Sequence, residues 1–204
     1  RFDGPAVIMG ILNVTPDSFS DGGRYTEPGP AIERGLQMAR EGALILDVGG
    51  ESSRPGAEPV SAAEEIRRVV PVLTGLAAAT DVLLSVDTTK AEVAEQALAA
   101  GAHIINDISA LSDDPGMTDV ARRHGAGVVL MHMQGTPRTM QREPAYRDVV
   151  EEVARYLEER VRALAEAGLE AHSFVAVLAH DEKLDVPALE AALRAECRYV
   201  GLLG

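Results

Sequence analysis

The sequence predicts an α/β protein of the (β/α)8 TIM-barrel type, incomplete at its C-terminal end. Short apolar strands alternate with helices along the 204 residues. Nearly every predicted strand is apolar throughout, which is typical of parallel strands buried on both faces. Polar residues follow the strands, so candidate chemistry collects at one end of the sheet. The alternative, an open doubly wound sheet, would confine ligand-binding residues to one crevice instead of every strand end.

Hydrophobic periodicity and helix-end signals place the elements. Ile32, Leu36 and Ala39 recur on one face of the first predicted helix, as in an amphipathic helix. Ser61 with Glu64 forms a capping-box pattern that opens the second helix. Predicted strands cover 6–12, 43–48, 82–86, 103–105 and 128–131, and predicted helices cover 30–41, 61–76, 91–100, 115–124 and 147–167.

Two later strands, 174–179 and 199–204, bring the count to about seven, whereas a barrel of this type closes with eight. We therefore expect exposed sheet edges unless another subunit or further residues cover them. We expect 1–170 to form the barrel portion and 171–204 to form a divergent α/β tail that completes or replaces the last barrel units.

Charge and cysteine content exclude several classes of function. A formal net charge of −13 argues against nucleic-acid binding, and an anionic substrate would need a locally placed cation or metal. The lone Cys197 rules out a disulfide framework and fits a cytoplasmic location. Neither a signal peptide nor a long apolar span is evident, so we expect no membrane insertion.

The first loop, 13–23, combines a strand tip with polar residues and two glycines. Asn13 would present an amide oxygen to a cation or ligand at the strand end. Phe19 is unusual in a polar loop, because an exposed aromatic ring is disfavoured unless it covers something. The alternative is an ordinary turn, which would by itself explain the Asp, Ser and Gly residues of this loop.

The strand ends together suggest a binding site. Asp and Asn side chains suit the edge of a flat heterocycle that carries donors and acceptors, and Ile108 and Met131 would line its rings. Ser53 and Arg54 follow two glycines and suit an anion or carboxylate. Alternatively, Asp87 and Asn106 cap the helices that follow them. The candidate strand-end residues are Asn13, Asp47, Arg54, Asp87, Asn106 and Met131.

Five segments between residues 5 and 168 resemble, in order and spacing, the signature segments of dihydropteroate synthases. The segments are MGILNVTPDSFSDGG (9–23), DVGGESSRPGA (47–57), SVDTTK (85–90), IINDI (104–108) and LMHMQG (130–135). The resemblance implies a pterin-binding barrel that joins 6-hydroxymethyl-7,8-dihydropterin pyrophosphate to p-aminobenzoate in folate synthesis and releases pyrophosphate. It also implies a possible homodimer.

The same resemblance implies roles for individual residues. Asn13 would bind the Mg²⁺ held by the pyrophosphate, and Asp87 and Asn106 would hydrogen-bond the pterin, with Ile108 and Met131 packed near it. Asp87, Asn106 and Arg54 would serve the reaction itself. No protein nucleophile is required, and His132 is interpreted as a packed histidine. Two mobile loops would carry Phe19, Ser53, Arg54 and Pro55; Ser53 stands where the family usually has Thr.

Beyond Gly168 the family pattern ends. The expected Asp-Pro-Gly-x-Gly-Phe-Gly-Lys, Ser-Arg-Lys and Arg-x-His segments are not found in the sequence. The stretch 174–204, with HDEKLD (180–185), PAL (187–189) and YVGLLG (199–204), resembles part of the Rossmann-like domain of XdhC-type molybdenum-enzyme maturation proteins. A composite gene, an engineered chimera or a diverged synthase would each produce this arrangement.

Four functions therefore stay open on sequence grounds. The first is a dihydropteroate synthase, and the second is a non-catalytic module that binds pterin or Mg²⁺-pyrophosphate. The third is another pterin barrel, such as a methyltetrahydrofolate methyltransferase, against which the loops 13–23 and 53–55 argue. The last is a maturation role through the tail.

Overall fold

The central feature is one parallel sheet of seven strands in the order β1-β2-β3-β4-β5-β6-β7. A doubly wound sheet reverses its strand order at a switch point, whereas sequential order is that of a (β/α) barrel. The predicted α/β class and barrel type are therefore confirmed, with seven strands. The structure, a computed structural model, describes residues 7–15, 28–52, 59–135, 139–140, 144–168, 174–177 and 199–202.

Strands and helices alternate as predicted, and most boundaries shift by one to three residues. The strands are β1 (Met9–Asn13), β2 (Ile45–Gly49), β3 (Leu83–Asp87), β4 (Ile104–Asp107), β5 (Gly127–Leu130), β6 (Phe174–Val177) and β7 (Tyr199–Leu202). The helices of the described residues are α1 (Pro28–Arg40), α2 (Ala62–Ala77), α3 (Ala91–Ala99), α4 (Met117–His124) and α5 (Val149–Glu166).

Strand β4 is longer at its C-terminal end than the sequence predicts. It extends to Asn106 and Asp107, which were expected to lie beyond it. The extension arises because Asn106 pairs with Asp87 of β3 and Asp107 pairs with Leu130 of β5. Both polar residues are thus fixed by the sheet and do not belong to a loop.

Helix ends follow the local chemistry of the chain. Ser61 is the N-cap of α2, and its side chain accepts a hydrogen bond from the backbone N–H of Glu64, as the capping pattern predicted. The other half of the box is absent from the contacts described, since the Glu64 carboxylate pairs with Arg67 and Arg68. Gly42, just after α1, has a φ of 111°, a conformation that favours glycine.

The sheet separates two apolar clusters. Outward-facing residues such as Leu46, Val48 and Val86 pack against the helices in the larger cluster. Inward-facing Ile45 and Ile104 form a smaller one with Val7. Because strand side chains alternate between faces, the residues two and four positions after Ile45 on β2 also face inward. So do the residues paired with them on the neighbouring strands. The inner face is therefore apolar at the N-terminal ends of the strands and polar at the C-terminal ends.

The last two strands continue the same sheet. β6 pairs with β5 at Leu130↔Val175, and β7 pairs with β6 from Phe174↔Tyr199 to Val177↔Leu202. In the described residues β1 and β7 each have one strand neighbour. The division at residue 170 and the resemblance of the tail to a maturation protein stay predictions. Within the described part of the chain, no helix is both long and apolar enough to cross a bilayer.

Candidate functional site

Three predicted site residues lie in one row across the C-terminal ends of neighbouring strands. Asn13 pairs with Gly49, Gly49 with Asp87, and Asp87 with Asn106. Residues paired in this way across parallel strands project from the same face, so the three polar side chains share the inner face. Sequence reasoning predicted this convergence.

Gly49 provides the space in which two of these side chains approach each other. A Cβ atom built on Gly49 would lie 3.4 Å from Oδ2 of Asp87 and 3.7 Å from Oδ1 of Asn13. Both oxygens therefore reach over the glycine from its two neighbouring strands. A side chain at residue 49 would occupy the volume between an amide oxygen and a carboxylate.

A second polar layer lies directly beneath. Asp47 pairs with Ser85 across β2 and β3, and both are almost fully buried. Asn106 donates from Nδ2 to Oδ2 of Asp47 over 2.9 Å. Among the described residues, Oδ1 of Asp47 and Oγ of Ser85 have no hydrogen-bond partner. Buried polar atoms are normally satisfied, so this layer suits a bound molecule or water that offers donors.

The clustered carboxylates perturb one another. Burial, followed by the negative charges of Asp47, Glu65 and Asp107, raises the pKa of Asp87 well above its usual value. Burial also raises the pKa of Asp47, although the hydrogen bond from the Asn106 amide opposes the shift. A carboxyl group that retains a proton can donate as well as accept. This pair can therefore match a ligand edge that carries both donors and acceptors.

The alternative interpretation of Asp87 and Asn106 as helix caps is wrong. The N-cap of α3 is Lys90, which makes no side-chain capping bond. The first N–H of that helix, on Ala91, instead donates to Oδ2 of Asp114 over 2.8 Å. The N-cap of α4 is Gly116, and the described contact of the Asn106 amide is to Asp47.

A partly buried ion cluster supports the outer side of the site. Lys90 Nζ donates to Oε2 of Glu65 over 2.6 Å and also contacts Glu51. Glu65 is fully buried, and its Oε1 has no partner among the described residues. Burial by itself would lower the pKa of Lys90, but the hydrogen bonds and charges of the two glutamates outweigh it and raise that pKa. The cluster joins the segment after β3 to α2 and to the segment after β2.

The two apolar site residues follow β4 and β5 directly. Ile108 begins the turn after β4 and Met131 follows the last residue of β5, and both are half-buried. His132 packs edge-on against Tyr156, with ring centroids 5.0 Å apart, and lies 5.9 Å from Tyr146. Burial lowers the pKa of His132, which agrees with its interpretation as a packed histidine.

The remaining predicted site residues, Phe19, Ser53, Arg54 and Pro55, lie outside the described residues, so their roles stay predictions. In the part of the chain that is described, no group of three or more His, Cys, Asp or Glu side chains is arranged to hold a metal ion. Asn13 is exposed at the strand tip. Its single amide oxygen fits a Mg²⁺ ion that arrives with phosphate oxygens, since Mg²⁺ commonly takes one or two protein ligands and completes its shell with substrate and water.

Sequence reasoning missed the Lys90 cluster and the turn after β4. Lys90 follows Asp87 by three residues, and that proximity was the only available signal. Glu65 of α2 contacts Lys90, which lies 25 residues away in the chain. Arg160 of α5 donates to the carbonyl oxygen of Ala110 in the turn after β4, which lies 50 residues away. Neither contact corresponds to a local pattern, so only the tertiary structure brings them to the site.

Comparison with known proteins agrees with this geometry. Residues 9–177 match the family model described as "pterin binding enzyme". The dihydropteroate synthase of Escherichia coli K12 is 51% identical over 162 residues, which is 79% of this chain and 57% of that protein. The chain thus spans less than two thirds of its curated relative's length.

Solved structures give the same result. A Yersinia pestis dihydropteroate synthase with a sulfonamide drug superposes with a TM-score of 0.85 at 40% identity, covering 96% of this chain and 74% of that one. A Xanthomonas albilineans dihydropteroate synthase in complex with 7,8-dihydropteroate gives 0.74 at 42% identity, covering 95% and 68%. The chain therefore belongs to the pterin binding enzyme family, and its similarity places it with the dihydropteroate synthases.

Proposed function

We propose that this chain provides the pterin-binding side of a dihydropteroate synthase. The reaction joins 6-hydroxymethyl-7,8-dihydropterin pyrophosphate to p-aminobenzoate and releases pyrophosphate. The observation that supports it is the single row of Asn13, Asp87 and Asn106 on the inner face of the sheet. The Xanthomonas relative crystallised with 7,8-dihydropteroate supports the same substrate class.

The pterin ring would lie against the polar row. Asp87 and Asn106 would hydrogen-bond its edge, and Ile108 and Met131 would pack near its faces. The unpartnered Oδ1 of Asp47 and the Ser85 hydroxyl beneath the row would receive donors from the ring or from a water. Leaving them unsatisfied in a complex would cost about 1–3 kcal/mol each, so a donor-rich heterocycle is favoured over an apolar ligand.

The chemistry would proceed by displacement at the methylene carbon of the pterin. The C–O bond to the pyrophosphate breaks with its electron pair on oxygen, and the amine of p-aminobenzoate supplies the pair for the new C–N bond before losing a proton to solvent. When ionised, Asp87 at the centre of the row would stabilise positive charge developing on the ring and its methylene. Arg54 would pair with the departing pyrophosphate, and Phe19, Ser53 and Pro55 would help enclose the second substrate.

Magnesium would be bound at Asn13 together with the pyrophosphate oxygens. When bound, the ion would neutralise charge on the leaving group. Asn13 would orient it at the strand tip, next to Asp87 across Gly49. A homodimer and a cytoplasmic location are further proposals, suggested by the resemblance and by the single cysteine. Sedimentation of the purified chain would test the first of these.

Titration calorimetry on the chain in Mg²⁺ buffer tests the proposal. We expect the pterin pyrophosphate to bind, and Asp87→Asn to weaken it about tenfold or more. Asp119→Asn, an exposed carboxylate on α4, is the control and should bind like the unmodified chain. Unchanged affinity in Asp87→Asn would remove Asp87 from the site.

Two further measurements separate binding from turnover. Asn13→Ala should weaken the pyrophosphate ester in Mg²⁺ but leave binding of the free pterin alcohol unchanged. Formation of labelled dihydropteroate from labelled p-aminobenzoate would establish the enzyme. Binding without product would instead support a non-catalytic module.

A further inference from the structure

The turn after β4 has an unusual backbone. Ala110 and Leu111 have φ angles of 55° and 60°, in the left-handed region that side chains with a Cβ disfavour. Two successive non-glycine residues in this region store backbone strain. Both residues are buried, with 0% and 4% of their surface exposed. Surrounding contacts must therefore impose this conformation.

One set of contacts comes from the strand itself. The carboxylate of Asp107 is fully buried; its Oδ1 accepts from the N–H of Ser109 over 2.7 Å and its Oδ2 accepts from the N–H of Leu111 over 3.2 Å. Asp107 thereby satisfies the donors of the turn. It leaves the carbonyl oxygens of Ala110 and Leu111 to another partner.

That partner is Arg160 of α5. Its Nε donates to the carbonyl oxygen of Ala110 over 2.8 Å, and its Nη2 donates to that of Leu111 over 3.1 Å. A guanidinium offers such parallel donors in one rigid plane. A single side chain thus holds the two strained residues together, from a helix about 50 residues further along the chain.

The position of Arg160 on α5 is itself fixed. Tyr156, Leu157 and Val161, its neighbours on one side of the helix, pack against the main apolar cluster, and Leu164 is buried in it. Residues spaced by three and four lie on one helix face, so Arg160 belongs to the face that is anchored. The packing of α5 therefore fixes the guanidinium group, and that group in turn holds the backbone of the turn after β4.

We propose that Arg160 is a positioning residue for the ligand site. By holding Ala110 and Leu111 in the left-handed conformation, it sets the turn that begins with Ile108 and follows Asn106 in the polar row. Without the two hydrogen bonds from the guanidinium group, the turn relaxes toward ordinary backbone angles and Ile108 is displaced. The inference rests on the proposed function only in assigning a pterin to Asn106 and Ile108.

Amide hydrogen exchange on the ligand-free chain tests the structural step by itself. In Arg160→Met, the N–H groups of Ser109 and Leu111 should exchange about tenfold faster or more, because the strained turn opens. Arg160→Lys keeps the positive charge but lacks the planar pair of donors, so it should behave similarly. Arg162→Met, an exposed arginine two residues away, should not change exchange. Unchanged protection of the turn in both Arg160 variants would overturn the proposal.

Calorimetry with the pterin pyrophosphate in Mg²⁺ buffer tests the functional step. Arg160→Met and Arg160→Lys should each weaken binding about tenfold, and adding Ala110→Gly to Arg160→Met should recover most of that loss, since glycine adopts positive φ without strain. Ala110→Gly by itself measures the general effect of relieving this strain, so failure of rescue beyond that effect overturns the proposal. If the unmodified chain binds no pterin, the proposed function fails, and hydrogen exchange still decides the role of Arg160 in the turn.

Discussion

Asn106 and Asp47 are joined by a 2.9 Å hydrogen bond from the amide nitrogen to Oδ2 of the carboxylate. This bond crosses from the upper polar row of the inner face to the layer beneath it. Because this bond uses one of the two N–H groups of the amide, the second N–H and the amide oxygen of Asn106 are left for a ligand. Asp47 therefore orients Asn106, and both carboxyl groups of the site, Asp47 and Asp87, lie on one connected polar surface.

Replacing Asp87 by Asn should stabilise the ligand-free protein at neutral pH. Burial and the surrounding carboxylates raise the pKa of Asp87, so the ionised form is less favourable in the folded state than in the unfolded state. We expect a higher free energy of unfolding for the variant at pH 7, measured by urea unfolding. Equal or lower stability of the variant would contradict this expectation.

The pH dependence of stability should change in the same variant. A raised folded pKa means that the native state binds more protons than the unfolded state above the unfolded pKa of about 3.8. Stability therefore falls as the pH rises from there through the folded pKa. Asp87→Asn should flatten that fall, whereas Asp119→Asn should leave it intact. Binding sites commonly contain residues that lower the stability of the folded protein.

Gly49 and Gly50 should respond oppositely to alanine. At Gly49 the nearest atom to a new Cβ is Asp87 Oδ2 at 3.4 Å, an ordinary contact, whereas at Gly50 the Cβ would meet Val69 Cγ1 at 2.8 Å and Glu65 Cγ at 3.0 Å. Gly50→Ala should therefore lose about 1–3 kcal/mol of stability by overpacking. Gly49→Ala should retain stability and lose ligand affinity, because its methyl group lies between Asp87 and Asn13.

Thermal unfolding and calorimetry on the two variants check this pair. The adjacent substitutions are chemically identical, so each serves as the control for the other. Loss of stability in Gly49→Ala would contradict the ordinary contact expected for its Cβ. Full affinity in that variant would show that the space over Gly49 is not part of the site.

The fold could be predicted from sequence because its signals are local. All-apolar strands such as β2 and β3 and helices ended by Gly42 and Gly101 gave the order of elements, and the capping residue Ser61 gave the start of α2. The faces of the strands could not be assigned in the same way. Since the strands are apolar on both sides, alternation carries no signal, and only pairing shows that Asp47 and Ser85 lie beneath Asp87.

The candidate site was predictable as far as it depends on strand ends. Asn13, Asp87 and Asn106 converge because parallel strands in register end together, which sequence order already implies. The contacts of Lys90 with Glu65 and of Arg160 with Ala110 depend on how helices dock against the sheet. No local pattern specifies that docking, so these supporting residues emerge only from the tertiary structure.

Removing the charge of Lys90 should be strongly destabilising. Lys90→Met leaves Glu65, which is fully buried, without its cation, and an uncompensated buried charge costs about 3–5 kcal/mol. Arg67→Met, which breaks an exposed 2.7 Å pair with Glu64, should cost about 1 kcal/mol or less.

The double variant Lys90→Met with Glu65→Met distinguishes the ion pair from simple packing. It should recover most of the stability lost in Lys90→Met, because no charge is then left buried at residue 65. Urea unfolding at pH 7 measures the stability of the single and double variants. A double variant as unstable as Lys90→Met would mean that Lys90 acts through its hydrocarbon chain instead.

His132 should make stability depend on pH in mildly acidic solution. Burial lowers its pKa below the ordinary value of 6.5, with the charge of Glu152 acting in the opposite direction. The unfolded state therefore binds more protons than the native state between the folded pKa and 6.5, so stability is lost as the pH falls through that window. The loss should be about 1 kcal/mol or less, since the ring is only half-buried. His132→Phe keeps an aromatic ring against Tyr156 and should flatten this slope, whereas Tyr146→Phe should preserve it. An NMR titration that places the His132 pKa at or above 6.5 would contradict the prediction. The folded state would then not disfavour the protonated ring, and stability would not fall in this pH window.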